Sequence, residues 1–394
     1  MELDSLCLKG FYYVTNFINM LKLKKLIKDS IMEYGKLFRR FKTFFFLLLS
    51  LQLTFVPLVV SAQQSVKLTF TSPYAPIFSW LKEMQDSFYP AVNKELEAQG
   101  GKYKIEWNIA MSGTLAKIPA TLDAMSNGIA DIGHLHPVFE EVRLGSANVG
   151  FYAPFSGADH RFATEFSHRL HLDNPMVKAK WDFQNLVYIN SVSLDEYALF
   201  STKPIKSLAD IKGMKVGAAG PQLRWIEGTG SAPVTTSGAA AYNDLKSGVI
   251  DAVILPIILA VNAKVHTVAP NVLRAQIGSV STVYLTANKQ KWTTLPREVQ
   301  AAIQAGGTAW QANYLKTIDS QFADALAIIT KDGGNIHEMS PAERQKWAQS
   351  LQPLGLEWAR AADKNGHPGQ QILTAYMDAL RKKNGQLPRD WDKR

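Results

Sequence analysis

The chain has 394 residues and a formal net charge of +9. Nine of its 43 Lys and Arg and four of its 34 Asp and Glu lie within residues 1–62, so residues 63–394 carry only about +4 with no basic run. This mild charge excludes nucleic acid as an expected partner. The single cysteine, Cys7, precedes residue 63, so neither disulfides nor thiol chemistry is expected beyond it.

The N-terminal segment has the three parts of a secretory signal. The basic residues Arg39, Arg40 and Lys42 precede an apolar run over residues 44–60, and small residues follow at 60–62. The apolar run is long, so an uncleaved anchor is the alternative, but Pro57 and the small-residue exit favour cleavage. We therefore predict a signal peptide and a protein exported to a bacterial periplasm.

Residues 1–31 precede this signal and include the basic, amphipathic segment LKLKKLIKDS. Such a segment is typical of a helix that lies on a membrane surface. The alternative is that Met20 or Met32 is the true start, since Met32 leaves a signal of ordinary length. For either reason, residues 1–62 are set apart from the prediction of the fold.

Strand and helix patterns alternate along the next part of the chain. SVKLTFTS (65–72) and KYKIEWNIA (102–110) alternate as strands, TLAKIPATLDAMSNG (114–128) has an apolar helical face, and ADIGHLH (130–136) is a short buried strand. This order predicts an α/β fold with an open sheet. One pattern occurs twice: LDAMSNGIADIG and YNDLKSGVIDAVIL both end a helix at glycine and begin a strand near an aspartate, Asp131 or Asp251.

Two extended stretches, residues 186–208 and 280–292, are predicted to cross between two lobes. The first lobe is predicted to hold residues 63–190 and 280–315, and the second residues 191–279 and 316–394. From Pro296 onward the sequence is mostly helical. Two lobes joined by extended strands can close on a small molecule by a hinge motion.

Motifs for catalysis are missing from the sequence. It contains no G-x-S-x-G, no G-x-G-x-x-G after a strand and no Walker loop. His134 and His136, or His168 and His171, have suitable spacing for two metal ligands, but a third ligand element is not evident. His136 lies at the end of a strand, where α/β folds bind ligands, so a polar contact with a ligand is the favoured role. We expect no enzyme activity, no metal and no cofactor.

Several segments together resemble the solute-binding proteins of tripartite ATP-independent periplasmic (TRAP) transporters, of the dicarboxylate-binding DctP type. They are SGTLAKIPATLDAMSNGIADIG, FYAPFSGADHRFATE, STKPIKSLADIKGMKV, AAYNDLKSGVIDAVILP and VYLTANKQKWTTLPREVQAAIQ. The resemblance spans residues 66–330. It implies a two-lobe periplasmic binding protein fold with crossing hinge strands and a long helix along both lobes. It also implies a receptor that delivers an organic acid to a TRAP permease.

The resemblance also implies positions for the ligand site, and several depart from the family's pattern. The arginine that usually grips the ligand carboxylate is replaced by Gly217. The polar position on the first crossing strand falls near Tyr197, and the polar triplet before Pro256 is replaced by residues 253–255. A less polar and roomier site is therefore expected, with space beside the ligand at Gly217.

Arg224 is the candidate replacement for the missing arginine, because it follows a Gly-Pro turn near the start of a predicted helix. Trp225 and Tyr197 would then contact the body of the ligand. Tyr74, in the loop after the first strand, and His136 complete the predicted site. The alternative for Arg224 is a solvated residue that pairs with Glu227.

The expected function is that of a monomeric solute receptor that binds a small organic acid and performs no covalent chemistry. A receptor that feeds a sensor protein and an exported hydrolase are the alternatives. The hydrolase requires a nucleophile and a base within hydrogen-bonding reach in the cleft.

Overall fold

The computed structural model describes residues 17–35 and 63–393, and the chain divides into two units at residues 62 and 63. In the first unit, residues 17–35 form one helix whose side chains are all exposed. The predicted signal peptide and its cleavage site at residues 39–62 lie outside the described residues. Within the described residues, no helix combines the length and apolar character needed to cross a membrane.

The second unit contains two mixed β-sheets. The strands are β1 (Gln64–Thr71), β2 (Tyr103–Ala110), β3 (Ile132–Leu135), β4 (Leu186–Ser193), β5 (Tyr197–Ser201), β6 (Lys215–Ala218), β7 (Ala232–Thr235), β8 (Ala252–Pro256), β9 (Asn271–Arg274), β10 (Ser281–Asn288) and β11 (Asn335–Glu338). One sheet has the order β2–β1–β3–β10–β4 and the other the order β11–β9–β5–β8–β6–β7. In β1, the predicted alternation places Leu68 and Phe70 in the core.

Helices cover the sheets and form most of the C-terminal region. The α-helices of the second unit span Ser79–Glu83, Tyr89–Ala98, Thr121–Ser126, His160–Asp173, Pro175–Phe183, Ala241–Lys246, Ile257–Asn262, Lys289–Thr294, Arg297–Lys331, Pro341–Ser350, Leu354–Lys364 and Gly369–Asn384. Ser340 caps the helix Pro341–Ser350 by accepting a hydrogen bond from Glu343 N at 3.2 Å.

Two segments carry the chain between the sheets. The outgoing one falls within the crossing predicted at residues 186–208, whereas the return, residues 275–280, comes just before most of the stretch predicted at 280–292. The chain leaves β4 of the first sheet and enters β5 of the second through Leu194, Asp195 and Glu196. It returns from β9 of the second sheet to β10 of the first. β5, β9 and β10 lie inside their sheets and β4 lies at the edge of the first, so the chain passes out of the first sheet and back into its interior, and the two sheets are interwoven.

The helix Arg297–Lys331 is 35 residues long and contacts elements of both sheets, including β4 and β11. Gly306 and Gly307 lie in its interior, where glycine normally weakens a helix. A Cβ at Gly306 would lie 2.5 Å from Val92 Cγ2, and one at Gly307 would lie 2.7 Å from Ile189 Cγ2. The two glycines therefore allow the helix to pack closely on the first sheet and its neighbouring helix.

The repeated sequence pattern forms the same turn in both sheets. Asp131 N donates to Thr69 O at 3.0 Å, and Asp131 Oδ2 accepts from Thr69 N at 2.7 Å. Asp251 N donates to Lys215 O at 2.8 Å, and Asp251 Oδ2 accepts from Lys215 N at 2.9 Å. Each aspartate therefore uses its own backbone and side chain to hold the neighbouring parallel strand. The predicted repeat of a helix-to-strand turn is confirmed.

Candidate functional site

A small cavity lies between the two sheets, where several strands end. Tyr74 follows β1, His136 follows β3, Ala219 follows β6 and Pro256 ends β8. The complete lining is Tyr74, Trp80, His136, Val138, Phe139, Leu194, Tyr197, Ala219, Gln222, Gly238, Leu255, Pro256, Leu259 and Thr282. Leu194 belongs to the outgoing connection between the sheets, and Thr282 is the second residue of β10, just after the returning connection. The cavity is thus bounded by both sheets and lies beside the crossings, at the strand ends where α/β folds bind ligands.

The cavity has a volume of about 30 Å³, which is room for only one or two water molecules. The expectation of a roomier site is therefore wrong for this closed arrangement. Large side chains from both sheets meet across the cleft and fill it. A ligand of several carbon atoms can enter only if the lobes separate or the lining side chains turn.

Aromatic rings form one wall of the cavity. The Tyr74 ring centroid lies 4.7 Å from that of His136 and 5.4 Å from that of Trp80. Phe78 stacks on Trp80 with the centroids 5.0 Å apart. Burial raises the pKa of the Tyr74 phenol, so this side chain stays neutral at physiological pH. The wall therefore offers flat apolar faces with a few neutral polar groups.

Polar groups on the opposite wall are connected to one another. The Tyr197 hydroxyl lies 3.4 Å from Thr282 Oγ1, and Thr282 Oγ1 donates to Val280 O at 3.0 Å. Gln222 Oε1 accepts a hydrogen bond from Ala219 N at 3.2 Å. Burial raises the pKa of Tyr197, and side-chain hydrogen bonds with Thr282 and Gln222 offset part of this rise. These contacts hold the polar atoms of the second wall in place.

Trp80 Nε1 and His136 Nε2 differ from their neighbours, because both are buried polar atoms without a hydrogen-bond partner among the described residues. Trp80 is 1 % exposed and His136 is 7 % exposed. Burial lowers the pKa of His136 to about 3, and a backbone hydrogen bond with Thr282 opposes the shift only in part. The imidazole is therefore neutral at physiological pH.

The structure brings three of the predicted site residues together at this cavity, namely Tyr74, His136 and Tyr197. Trp80, Gln222 and Thr282 also line it and were missed by the sequence reasoning. Thr282 had a usable signal, because it lies in the predicted return crossing, where a cleft between lobes must close. Trp80 and Gln222 had no signal beyond their closeness in sequence to Tyr74 and Gly217.

Gly217 does not line the cavity in this structure. It lies in β6, where a Cβ would be 2.8 Å from both Ile250 Cδ1 and Thr236 Cγ2, and 3.4 Å from Val253 Cγ2. The expected open space beside Gly217 is therefore a misreading, because neighbouring side chains already fill it. The small residue that does line the cavity is Ala219, two positions later.

Arg224 and Trp225 lie in the short helix Gly220–Trp225 but are absent from the lining of the cavity. Arg224 Nε pairs with Glu227 at 3.0 Å, and Arg224 Nη2 pairs with Glu357. Arg224 therefore pairs with carboxylates of the protein, Glu227 among them, as the alternative interpretation of the sequence predicted. Trp225 is fully buried, donates from Nε1 to Phe151 O at 2.6 Å and packs edge-on against Tyr197. It supports the cavity wall from behind.

The charge around the cavity departs from a typical carboxylate site. Neither lysine nor arginine is found among the described residues that line it. The buried Asp195, in the connection from β4 to β5, interacts electrostatically with Tyr197 instead. Asp195 Oδ2 accepts a hydrogen bond from Ile258 N at 3.0 Å, and burial raises its pKa to about 7. The polar groups that reach the cavity are therefore neutral ones.

Two larger depressions lie elsewhere on the second unit. A groove of about 750 Å³ runs between the helices His160–Asp173 and Gly369–Asn384 and has both acidic and basic rims. A pocket of about 330 Å³ lies beside the crossings and includes Asp159, Asp195 and Glu196. Neither brings three or more His, Asp or Glu side chains close enough together to hold a metal ion, and the described residues form no such group elsewhere.

Comparisons with known proteins agree with this architecture. The model of the family described as bacterial extracellular solute-binding protein, family 7 (DctP), matches residues 84–361, well over half of the chain. The fold class and the family resemblance predicted from the sequence are thereby confirmed.

Solved structures of TRAP solute-binding proteins have the same fold. One from Rhodoferax ferrireducens, in complex with copurified benzoate, is 22% identical, with a TM-score of 0.69 over 81% of this chain and 98% of that chain. One from a marine metagenome, in complex with 3-hydroxybenzoate, is 21% identical, with a TM-score of 0.70 over 82% and 100% of the two chains. A Bordetella pertussis receptor that binds pyroglutamic acid is 19% identical, with a TM-score of 0.66 over 79% and 99%.

Proposed function

The chain belongs to family 7 of the bacterial extracellular solute-binding proteins, and from this premise we propose that it is a TRAP-type receptor for a small organic acid. It binds the acid between its two lobes outside the cytoplasm and delivers it to a membrane permease. The signal peptide predicted at residues 39–62 directs it to the periplasm. The receptor acts as a monomer and without a cofactor.

The observation that carries this proposal is the position of the cavity. Its lining comes from both sheets, from Leu194 in the outgoing connection and from Thr282 at the start of β10, just after the returning one. A change in angle at the crossings therefore opens or closes the cavity without breaking either sheet. With a volume of about 30 Å³ the cavity is closed in this structure. Binding thus requires an open form, and the bound acid stabilises the closed form.

The lining supports an acid with a flat or apolar body. Tyr74, Trp80 and Phe139 offer ring surfaces, and Leu194, Leu255 and Leu259 offer aliphatic ones. Burial of apolar ligand surface against these side chains is favourable at about 25 cal/mol per Å² before the costs of association. Aromatic acids, like those held by the Rhodoferax and marine relatives, are therefore the first candidates.

The same cavity offers little for catalysis. Its polar side chains are Tyr74, His136, Tyr197, Gln222 and Thr282. Thr282 Oγ1, the aliphatic hydroxyl in this set, donates its proton to Val280 O at 3.0 Å. Thr282 is therefore not positioned to give its proton to His136, and His136, with a pKa of about 3, is a weak base. The two do not form an activated nucleophile–base pair. This supports a binding role over that of an exported hydrolase.

The test is a thermal-shift screen of the full chain against organic acids, including benzoate, 3-hydroxybenzoate, pyroglutamate and galacturonate. A ligand that binds only the folded state raises the melting temperature by mass action, by an amount that grows with its concentration. At least one acid should raise it, and the affinity should be confirmed by calorimetry. A screen in which only neutral metabolites such as sugars raise the melting temperature would contradict the proposal.

A further inference from the structure

Two unpartnered polar atoms in the cavity have complementary chemistry. Trp80 Nε1 carries a hydrogen and can only donate. The hydrogen bond of His136 with the backbone of Thr282 raises the pKa of the imidazole. This is the effect expected when a ring N–H donates to a carbonyl oxygen. One ring nitrogen of the neutral imidazole therefore holds its hydrogen toward Thr282, which leaves the unpartnered Nε2 as an acceptor. The cavity thus presents one free donor and one free acceptor.

The ionisable groups around His136 offer no positive charge to an anion. Tyr74 packs against it on the same wall, Tyr197 faces it across the cavity, and Asp195 acts on Tyr197 from behind. Glu140 shares a smaller cavity with His136 on the other side, but it is paired with Arg143 at 2.7 Å. His134, two residues earlier, is fully buried and its pKa is lowered well below the usual value. A bare carboxylate would be desolvated here without a neighbouring cation.

We propose that the receptor binds its acid together with one proton, so that a neutral carboxyl group accepts a hydrogen bond from Trp80 Nε1 and donates one to His136 Nε2. The inference rests on the proposed function. The proton comes from solvent and lies between a carboxyl oxygen and His136 Nε2. Whichever of these two atoms holds it, one proton is taken up for each acid bound, and no bond other than O–H or N–H forms. The ring centroids of Trp80 and His136 are 6.2 Å apart, so the two rings lie close enough for one carboxyl group to contact both.

A primary amide has the same hydrogen-bonding pattern as a neutral carboxyl group, with a carbonyl acceptor and an N–H donor. The proposal therefore predicts that the receptor also binds the amide of its acid, and that the amide needs no proton. This separates it from an arginine-anchored site, which would prefer the carboxylate to the amide because a guanidinium has only donors to offer.

The experiment is calorimetric titration of the full chain with benzoate, 3-hydroxybenzoate, benzamide and 3-hydroxybenzamide between pH 6 and pH 8. Measurements in two buffers of different ionisation enthalpy count the protons exchanged. Uptake of close to one proton is expected for each acid, and its affinity should fall about tenfold for each pH unit. The amides should bind with an affinity that is nearly independent of pH. An acid that binds without proton uptake overturns the inference and leaves the proposed function standing. If no acid and no amide binds, both fail.

Three variants locate the proton and the donor. Trp80→Phe keeps an aromatic ring, although a smaller one, and removes the N–H, so both the acid and the amide should bind about tenfold more weakly. Trp391→Phe is the matched control, because its N–H is bonded to Pro154 O outside the cavity and its loss should leave both affinities unchanged. Asp195→Asn should leave proton uptake intact. If uptake disappears in Asp195→Asn, the proton belongs to that carboxylate and the inference is overturned.

Discussion

Arg224 is bound to Glu357, a residue that lies 133 positions later in the chain, in the helix Leu354–Lys364. The same guanidinium also reaches Glu227 at 3.0 Å. Two carboxylates thus occupy the group that the sequence suggested as an anchor for a ligand. The pairing connects the turn after β6 with the C-terminal helices.

Replacing Arg224 by Ala should therefore leave the affinity for an acid unchanged. The three side chains are about one-third exposed or more, so solvent screening limits the loss of stability to about 1 kcal/mol. Urea denaturation and calorimetry on the same preparation measure both quantities. Glu357→Gln is the matched control, because it breaks the same pair from the other side. A tenfold loss of affinity in Arg224→Ala alone would restore Arg224 to the site.

Gly217→Ala should destabilise the protein by about 1–3 kcal/mol, because the new Cβ would overlap Ile250 Cδ1 and Thr236 Cγ2, both 2.8 Å away. The second substitution Ile250→Val removes one of these contacts. By itself it should cost about 0.5–1.5 kcal/mol, but in the Gly217→Ala background it should recover part of the lost stability, since the overlap with Thr236 Cγ2 remains. The coupling is measured by a double-mutant cycle in urea. Additive losses would show that Ile250 is not the obstacle.

The two strand-holding aspartates should make similar contributions to stability. Asp131→Ala leaves Thr69 N without its acceptor, and Asp251→Ala does the same to Lys215 N. Each change should cost about 1–3 kcal/mol. Asp123→Ala is the control, because its side chain is 59% exposed and pairs only at the surface with Arg143. Equal effects of the three substitutions on the urea midpoint would contradict this account of the turns.

Asp195 should make stability depend on pH in a direction opposite to that of most carboxylates. Burial raises its folded-state pKa to about 7 from an ordinary 3.8. Between these values the folded state binds the proton and the unfolded state does not, so stability falls as pH rises through this window. The full effect is at most about 4 kcal/mol. The difference between the wild type and Asp195→Asn in urea denaturation from pH 5 to pH 8 isolates it. A difference that does not change with pH would contradict the prediction.

Local patterns were enough to predict most of the secondary structure and the outgoing crossing between the sheets, while the return lies a few residues before the predicted stretch. The alternation in β1, the glycine stops before Asp131 and Asp251, and the cap at Ser340 are all short-range features. They depend on neighbours within a few residues, so the sequence displays them directly. Tyr74, His136 and Tyr197 were found for a related reason, because the carboxyl end of a strand or a crossing places them at the cleft.

The sequence by itself determined the α/β class, the order of elements and the family to which the chain belongs. Only the tertiary structure decided which side chains fill the cleft and which charges are already paired. Glu357 pairs with Arg224 from 133 positions away, and Ile250 fills the space beside Gly217 from the turn before β8. Such contacts depend on packing between distant segments, which a local pattern does not encode. For the same reason, the unpaired Trp80 and His136 could be identified only after every neighbouring group had been placed.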